Sequence, residues 1–123
     1  MRVVGVGIDA VDLARFRRTL ARTPGLRDRL FTAAERAEAA RQRDPTARLA
    51  SRFAAKEAVM KALGVGLGAF SFQDVEVTRS ESGAPALVVR GTAAALAADR
   101  GVRDWRISLT HTNAVAEAIV LAL

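Results

Sequence analysis

The sequence predicts an α+β fold, because its helical patterns and its antiparallel strand patterns fall in separate blocks. Between Asp12 and Leu63 the apolar residues recur at helical spacing, most clearly at Leu49, Phe53, Met60 and Leu63. From Phe72 onward, two stretches alternate apolar and polar residues on either side of turn residues, which is the pattern of β-hairpins.

Val3-Val4-Gly5-Val6-Gly7-Ile8 is a β-rich run that ends at Asp9 and predicts the first strand. Asp12 stands where an N-cap belongs, ahead of a helix whose apolar stripe is Leu13, Phe16 and Leu20. Arg15, Arg18 and Arg22 fall off that stripe and face water or a partner. Pro24-Gly25 ends this helix. Thr32-Ala33-Ala34-Glu35 has capping-box spacing and opens a second, polar helix. Asp44-Pro45 reads as an N-cap followed by proline at the first helical position, and the helix it starts runs to about Leu63. Gly64–Gly68 ends that helix in a loop. Phe72–Arg79 alternates as a strand with Val75 and Val77 on one face, Ser80–Gly83 supplies a turn, and Ala86–Arg90 is the partner strand. Thr92–Arg100 suits a short helix closed by Gly101, and Trp105–Thr110 and Ala114–Leu123 are two last strands across a turn near Thr112-Asn113.

The length, 123 residues, fits a single domain over 1–123. The absence of cysteine excludes disulfides, thiolate zinc sites, iron–sulfur clusters and cysteine nucleophiles. No apolar run approaches the roughly 20 residues of a membrane helix. The expectation is therefore a soluble cytoplasmic protein with no membrane partner. Charge is unevenly spread: residues 1–63 hold 14 basic and 7 acidic side chains, a net of +7, whereas 64–123 hold 5 and 6, a net of −1. A one-sided positive field implies an anionic partner. Nucleic acid is a poor fit, since aromatic residues are only 5% and tyrosine, a common base-stacking residue, is absent.

Few residues can carry chemistry. Asp9 follows two glycines, which leave room for a ligand to approach the backbone. Glu57 and Lys61 are four apart on one helix, so they project from nearly the same angle; such a pair is commonly a plain surface ion pair. Two oxygen ligands completed by phosphate oxygens and water would equally suit Mg²⁺. Lys56 falls within the apolar face of that helix and is expected to snorkel along the core edge. His111, the only histidine, stands at a strand end with no second His or Cys to form a metal site.

These residues also carry a family resemblance. Val6-Gly7-Ile8-Asp9 with Arg15, then Arg52-Phe53-Ala54-Ala55-Lys56-Glu57-Ala58-Val59-Met60-Lys61-Ala62-Leu63-Gly64, resembles the small trimeric class of 4′-phosphopantetheinyl transferases, the holo-[acyl-carrier-protein] synthases. Phe72-Gln73-Asp74-Val75-Glu76-Val77, the Gly83–Pro85 hairpin and Ile107-Ser108-Leu109-Thr110-His111-Thr112 continue the match over nearly the whole chain. The resemblance implies an antiparallel sheet packed against a long central helix. It implies transfer of the phosphopantetheine arm of coenzyme A to a serine of an apo acyl carrier protein, releasing adenosine 3′,5′-bisphosphate. The alternative within the same fold is a non-catalytic module that binds coenzyme A or carrier protein.

Carried onto this sequence, the resemblance makes Asp9, Glu57 and Lys61 the catalytic set, with Asp9 and Glu57 on Mg²⁺ and Lys61 on the diphosphate. Glu57 or a metal-bound water would take the serine proton. Coenzyme A would be contacted by Lys61, Gly64, Gly66, Gly83, Pro85, His111 and Thr112, with His111 serving a neighbouring subunit's site in a homotrimer. Arg52 would reach a coenzyme A phosphate across the interface or form a structural ion pair, since it sits about 140° around the helix from Glu57. Arg15 would contact the acidic carrier protein, and helical spacing adds Arg18 and Arg22. Leu26–Thr46 matches only loosely, which leaves the choice between fatty-acid and polyketide carriers open.

Overall fold

The computed structural model describes residues 2–123. Its elements are β1 (Gly5–Asp12), α1 (Leu13–Arg22), α2 (Leu26–Leu30), α3 (Ala33–Ala40), α4 (Thr46–Leu63), β2 (Val75–Arg79), β3 (Pro85–Val89), α5 (Gly91–Asp99), β4 (Trp105–His111) and β5 (Val115–Ala122). Strands β1, β5 and β4 form an antiparallel sheet in that order, and β2 and β3 form a separate antiparallel hairpin. The long helix α4 packs on β1 and β5 and is covered on its other sides by α1, α3 and β2. This is the expected α+β arrangement, with α4 at its centre.

The helix starts follow the local sequence. Asp12 accepts the Arg15 amide at 2.8 Å and caps α1, and Leu13, Phe16 and Leu20 of α1 are buried. Thr32 and Glu35 form the full capping box of α3. Asp44 accepts the Thr46 amide at 3.0 Å while Pro45 already holds helical angles, so cap and proline act as the sequence predicts. At the far end Gly64 takes φ +70°, and the Val65 amide returns to the Met60 carbonyl at 2.9 Å. That closure requires a left-handed residue, and glycine takes it without strain.

Six expectations need correction. The first strand does not end at Asp9 but runs to Asp12, because its pairing with β5 continues through Asp12↔Val115. Gly5 and Gly7 face helix α4 rather than a ligand: a Cβ on Gly7 would stand 1.8 Å from the Ala58 carbonyl oxygen, and one on Gly5 would stand 1.9 Å from that of Ala62. Helix α4 is buried on more than one face, with 13 of its 18 residues inside, which is why alanine fills so many of its positions. Phe72–Asp74 is one 3-10 turn, and the strand begins only at Val75. The five-residue α2 lies in a stretch where no apolar period is long enough to announce it.

The sixth correction concerns Lys56, which does not snorkel. It is 0% exposed and pairs with Glu35, itself 1% exposed, at 2.8 Å. Its Nζ also donates to the carbonyls of Phe72 and Val75, so every ammonium proton has an acceptor. Burial pulls the Lys56 pKa down and Glu35 pulls it back up. The pair is tolerated because both charges are fully hydrogen-bonded.

Gly7→Ala tests the helix–strand contact. The added methyl must part β1 from α4, so the expected destabilisation lies at or beyond the top of the roughly 1–3 kcal/mol typical of overpacking. Urea unfolding of the two proteins measures it, and equal midpoints would contradict the close approach.

Candidate active site

Because β1 alternates, Gly5, Gly7, Asp9 and Val11 share the face turned to α4, while Val6, Ile8 and Ala10 point away. Asp9 is thus delivered onto α4 one alternation beyond the glycine contact. On α4, Phe53, Glu57 and Lys61 follow one another at four-residue steps and form a ridge along the same edge. Lys61 Nζ donates to Asp9 Oδ1 at 3.1 Å and to the Ile8 carbonyl at 2.8 Å. The expected meeting of Asp9 with the helical Glu57–Lys61 pair is therefore present.

Glu57 titrates abnormally. Burial is the largest cause raising its pKa, the neighbouring Asp9 carboxylate raises it further, and Lys61 opposes both. Two carboxylates that repel across a short gap, with only one lysine between them, form a donor set that gains from a hard divalent cation. Asp9 and Glu57 fit such an ion, provided that its other ligands are water or substrate oxygens. Among the described residues no third acidic or histidine side chain joins them.

The two acids line a cleft of about 520 Å³. Its wall is aromatic: Phe16 and Phe53 stack with centroids 5.3 Å apart, and Phe53 and Phe72 with centroids 5.7 Å apart. Arg15 and Asp12 stand at its rim, and Leu67, 73% exposed on the loop after α4, lines it from the side. Arg15, Arg18 and Arg22 are all exposed on α1, as helical spacing predicts. The aromatic wall is the part that sequence reasoning missed. Phe53 reads there as part of the apolar face of the long helix and Phe72 as the first residue of a strand, although their sequence positions beside Glu57 and the glycine loop are a usable signal.

The other expected contacts lie elsewhere in this chain. Gly64 and Gly66 are in the loop beside the cleft but do not line it. His111 ends β4, two strands from β1, and Gly83 and Pro85 belong to the β2–β3 hairpin; neither these nor Thr112 lines the cleft. Thr112 accepts the amides of Ala114 and Val115 at 3.1 Å on its hydroxyl oxygen. Arg52 takes the structural alternative: it is 1% exposed and pairs with Glu38 at 3.0 Å. Burial lowers its pKa, and Glu38 opposes the shift. Arg48 at 2.6 Å and Arg79 at 3.7 Å converge on the same carboxylate. Three guanidinium groups around one carboxylate leave a local positive excess, and its accessible edge is Arg48 and Arg79 rather than Arg52.

Comparison with known proteins agrees with this geometry. Residues 5–117 match the 4′-phosphopantetheinyl transferase superfamily. A holo-[acyl-carrier-protein] synthase of Frankia casuarinae is 52% identical, over 99% of this chain and 98% of its own. The crystal structure of the Neisseria meningitidis holo-[acyl-carrier-protein] synthase superposes with a TM-score of 0.90 at 29% identity, covering 99% of both chains. A Bacillus anthracis holo-(acyl-carrier-protein) synthase in complex with CoA (3′,5′-ADP) gives a TM-score of 0.81 at 32% identity, over 98% of this chain and 96% of that one. The chain belongs to the 4′-phosphopantetheinyl transferase superfamily.

The Asp9–Glu57 repulsion has a measurable consequence. Asp9→Asn removes the like charge and is expected to lower the Glu57 pKa, whereas Lys61→Ala is expected to raise it. Carboxyl chemical shifts followed by NMR titration read both. A raised folded-state pKa stabilises the protein below the unfolded pKa, and that stabilisation is lost as pH climbs through the folded value. Added Mg²⁺ is expected to bring the Glu57 titration back down.

Proposed function

We propose that this chain transfers the 4′-phosphopantetheine group from coenzyme A to a serine of an apo acyl carrier protein, releasing adenosine 3′,5′-bisphosphate. The observation that carries this reading is the convergence of Asp9, Glu57 and Lys61, with Asp9, Glu57 and Arg15 lining one cleft, in a chain about half identical to holo-[acyl-carrier-protein] synthases over its whole length. Asp9 and Glu57 would hold Mg²⁺, which when bound supplies positive charge to the diphosphate of coenzyme A. Phosphoryl transfer asks the protein mainly for alignment and charge stabilisation.

The chain's own residues divide that work. Lys61, 54% exposed and tethered to Asp9 and the Ile8 carbonyl, is free to turn an ammonium proton toward the diphosphate. The serine oxygen attacks the phosphorus that carries the pantetheine arm, and the bond from that phosphorus to the bridging oxygen breaks. The bridging oxygen leaves on adenosine 3′,5′-bisphosphate. Glu57 or a metal-bound water would take the serine proton. The nucleophile belongs to the partner, so this chain has no need of an activated serine or cysteine.

Arg15, Arg18 and Arg22 give α1 a positive exposed face beside the cleft, suited to an acidic carrier protein. The sheet supports a homotrimer with active sites between subunits. Its outer face leaves Val6, Ile8 and Ile119 exposed, with Ile8 opposite Ile119 on the neighbouring strand. Large adjoining apolar side chains of this kind mark an interaction surface. In such an assembly His111, Thr112, Gly83 and Pro85, which lie away from their own cleft, serve the coenzyme A of a neighbour. The chain acts as a single cytoplasmic domain, and among the described residues no helix is long and apolar enough to cross a membrane.

Incubation with apo carrier protein, coenzyme A and Mg²⁺ is expected to add one phosphopantetheine to the carrier, read by intact mass. Glu57→Gln is expected to abolish turnover with the fold retained, and full activity of that variant would falsify the assignment of Glu57. Binding of coenzyme A and carrier without modification would point to the non-catalytic module. Raising salt is expected to increase the KM for carrier protein much more than the KM for coenzyme A. Sedimentation is expected to give a trimer, and a fully active monomer would remove the shared site.

A further inference from the structure

The turn Phe72–Asp74 has little backbone bonding of its own, from the Asp74 amide to the Ser71 carbonyl at 2.9 Å and from the Val75 amide to the Phe72 carbonyl, yet each of its residues is fastened to a different element. Lys56 donates to the Phe72 carbonyl at 2.8 Å and to the Val75 carbonyl just beyond the turn. Its counterion Glu35 accepts the Val77 amide at 2.9 Å, which fixes the start of β2 from the same buried pair. The Gln73 side-chain amide donates to the Asp28 carbonyl in α2 and to the Phe31 carbonyl just after it, at 3.1 Å for the latter. The Asp74 carbonyl accepts the Arg90 amide at 2.7 Å, and its carboxylate lies against Gly91, where a Cβ would come within 2.8 Å of Oδ1.

Of these anchored residues only Phe72 lines the cleft; Lys56, Glu35 and Gln73 do not reach it. The Phe72 ring completes the wall by stacking on Phe53, one helical turn before Glu57. Local bonding in one 3-10 turn is too weak to fix a side chain by itself. A lysine buried at this point is costly unless its charge is satisfied, and two of its three acceptors are backbone oxygens at and next to the turn.

We infer that the turn at 72–74 is a fixed bracket between α2 and the catalytic helix, and that Lys56, Glu35 and Gln73 are positioning residues for the transfer, holding Phe72 on Phe53 so that the cleft beside Asp9 and Glu57 keeps its shape for the carrier serine. The inference rests on the transferase reading above. It also predicts a coupling: the α2 surface presented to a partner and the wall beside Glu57 move as one body, because Gln73 ties the first to the turn that carries the second.

The test uses Gln73→Leu, which puts an apolar side chain one atom shorter at an exposed site and removes both amide donations. The expected result is a roughly tenfold rise in KM for carrier protein with the KM for coenzyme A unchanged, since small displacements far from the chemistry are costly. Ring–ring NOEs between Phe72 and Phe53 are expected to weaken in the same variant. Added to Phe72→Ala, Gln73→Leu is expected to cause little further loss, because both act through one ring. Lys56→Met combined with Glu35→Gln removes both buried charges and is expected to reproduce the KM rise; should that protein fail to fold, Gln73→Leu decides alone. An active wild type whose Gln73→Leu variant loses thermal stability but keeps its KM and its NOEs would overturn the bracket. Weakened NOEs in a protein whose wild type forms no product would uphold the bracket and overturn the transferase reading instead.

Discussion

The backbone of β1 lies directly on the backbone of α4, and the position of every candidate catalytic group follows from that contact. Gly5 and Gly7 sit where any side chain would overlap the carbonyl oxygens of Ala62 and Ala58. With no Cβ atoms between them, strand and helix approach closely enough for Asp9, the next residue on that face, to meet Lys61 at 3.1 Å. A wider spacing would weaken the effect of the Asp9 carboxylate on Glu57. The electrostatic strain at the site, seen in the raised Glu57 pKa, is therefore built by packing rather than by any unusual residue.

Charged residues on α4 are sorted by angle into two roles. Glu57 and Lys61 stand on the open edge, where a cation and a diphosphate can reach them. Arg52 and Lys56 point into the protein, and each is matched to a glutamate on α3, Glu38 and Glu35 respectively. Removing one member of such a buried pair leaves an uncompensated charge, with a cost of about 3–5 kcal/mol. The adjacent residues Lys56 and Glu57 thus differ completely in accessibility, and a 100° rotation along the helix is enough to separate structure from chemistry.

The parts of this arrangement that were legible in the sequence are those set by local rules. Asp12, the Thr32–Glu35 box, Asp44-Pro45 and Gly64 each terminate a helix through bonds to their near neighbours, and spacing alone locates them. The apolar stripe Leu13, Phe16 and Leu20 was readable for the same reason. What depended on distant chain segments was not. Lys56 looks like a snorkelling residue until Glu35, Phe72 and Val75 are brought around it. Gly5 and Gly7 look like a ligand cradle until a helix more than fifty residues away occupies the space. Arg52 was left between a phosphate contact and an ion pair, and only the position of Glu38 on α3 decides. The resemblance of the Arg52–Gly64 segment to a transferase family pointed to Glu57 and Lys61 as candidates, but it said nothing about the aromatic wall beside them.

That wall bears on how the reaction is kept orderly. The cleft is lined both by the carboxylates of Asp9 and Glu57 and by the stacked rings of Phe16, Phe53 and Phe72, with Arg15 beside them. A charged diphosphate gains nothing from aromatic faces, and an apolar carrier surface gains nothing from two carboxylates. The two substrates of the proposed transfer are therefore distinguished by position within one groove. Glu57 stands one helical turn from Phe53, so the polar and the apolar parts of the lining adjoin on α4. Water is the competing nucleophile in the proposed transfer, and partial burial of Glu57 would limit its access. In the proposed transfer one packing arrangement would thus act twice, on the titration of Glu57 and on the preference for serine over water.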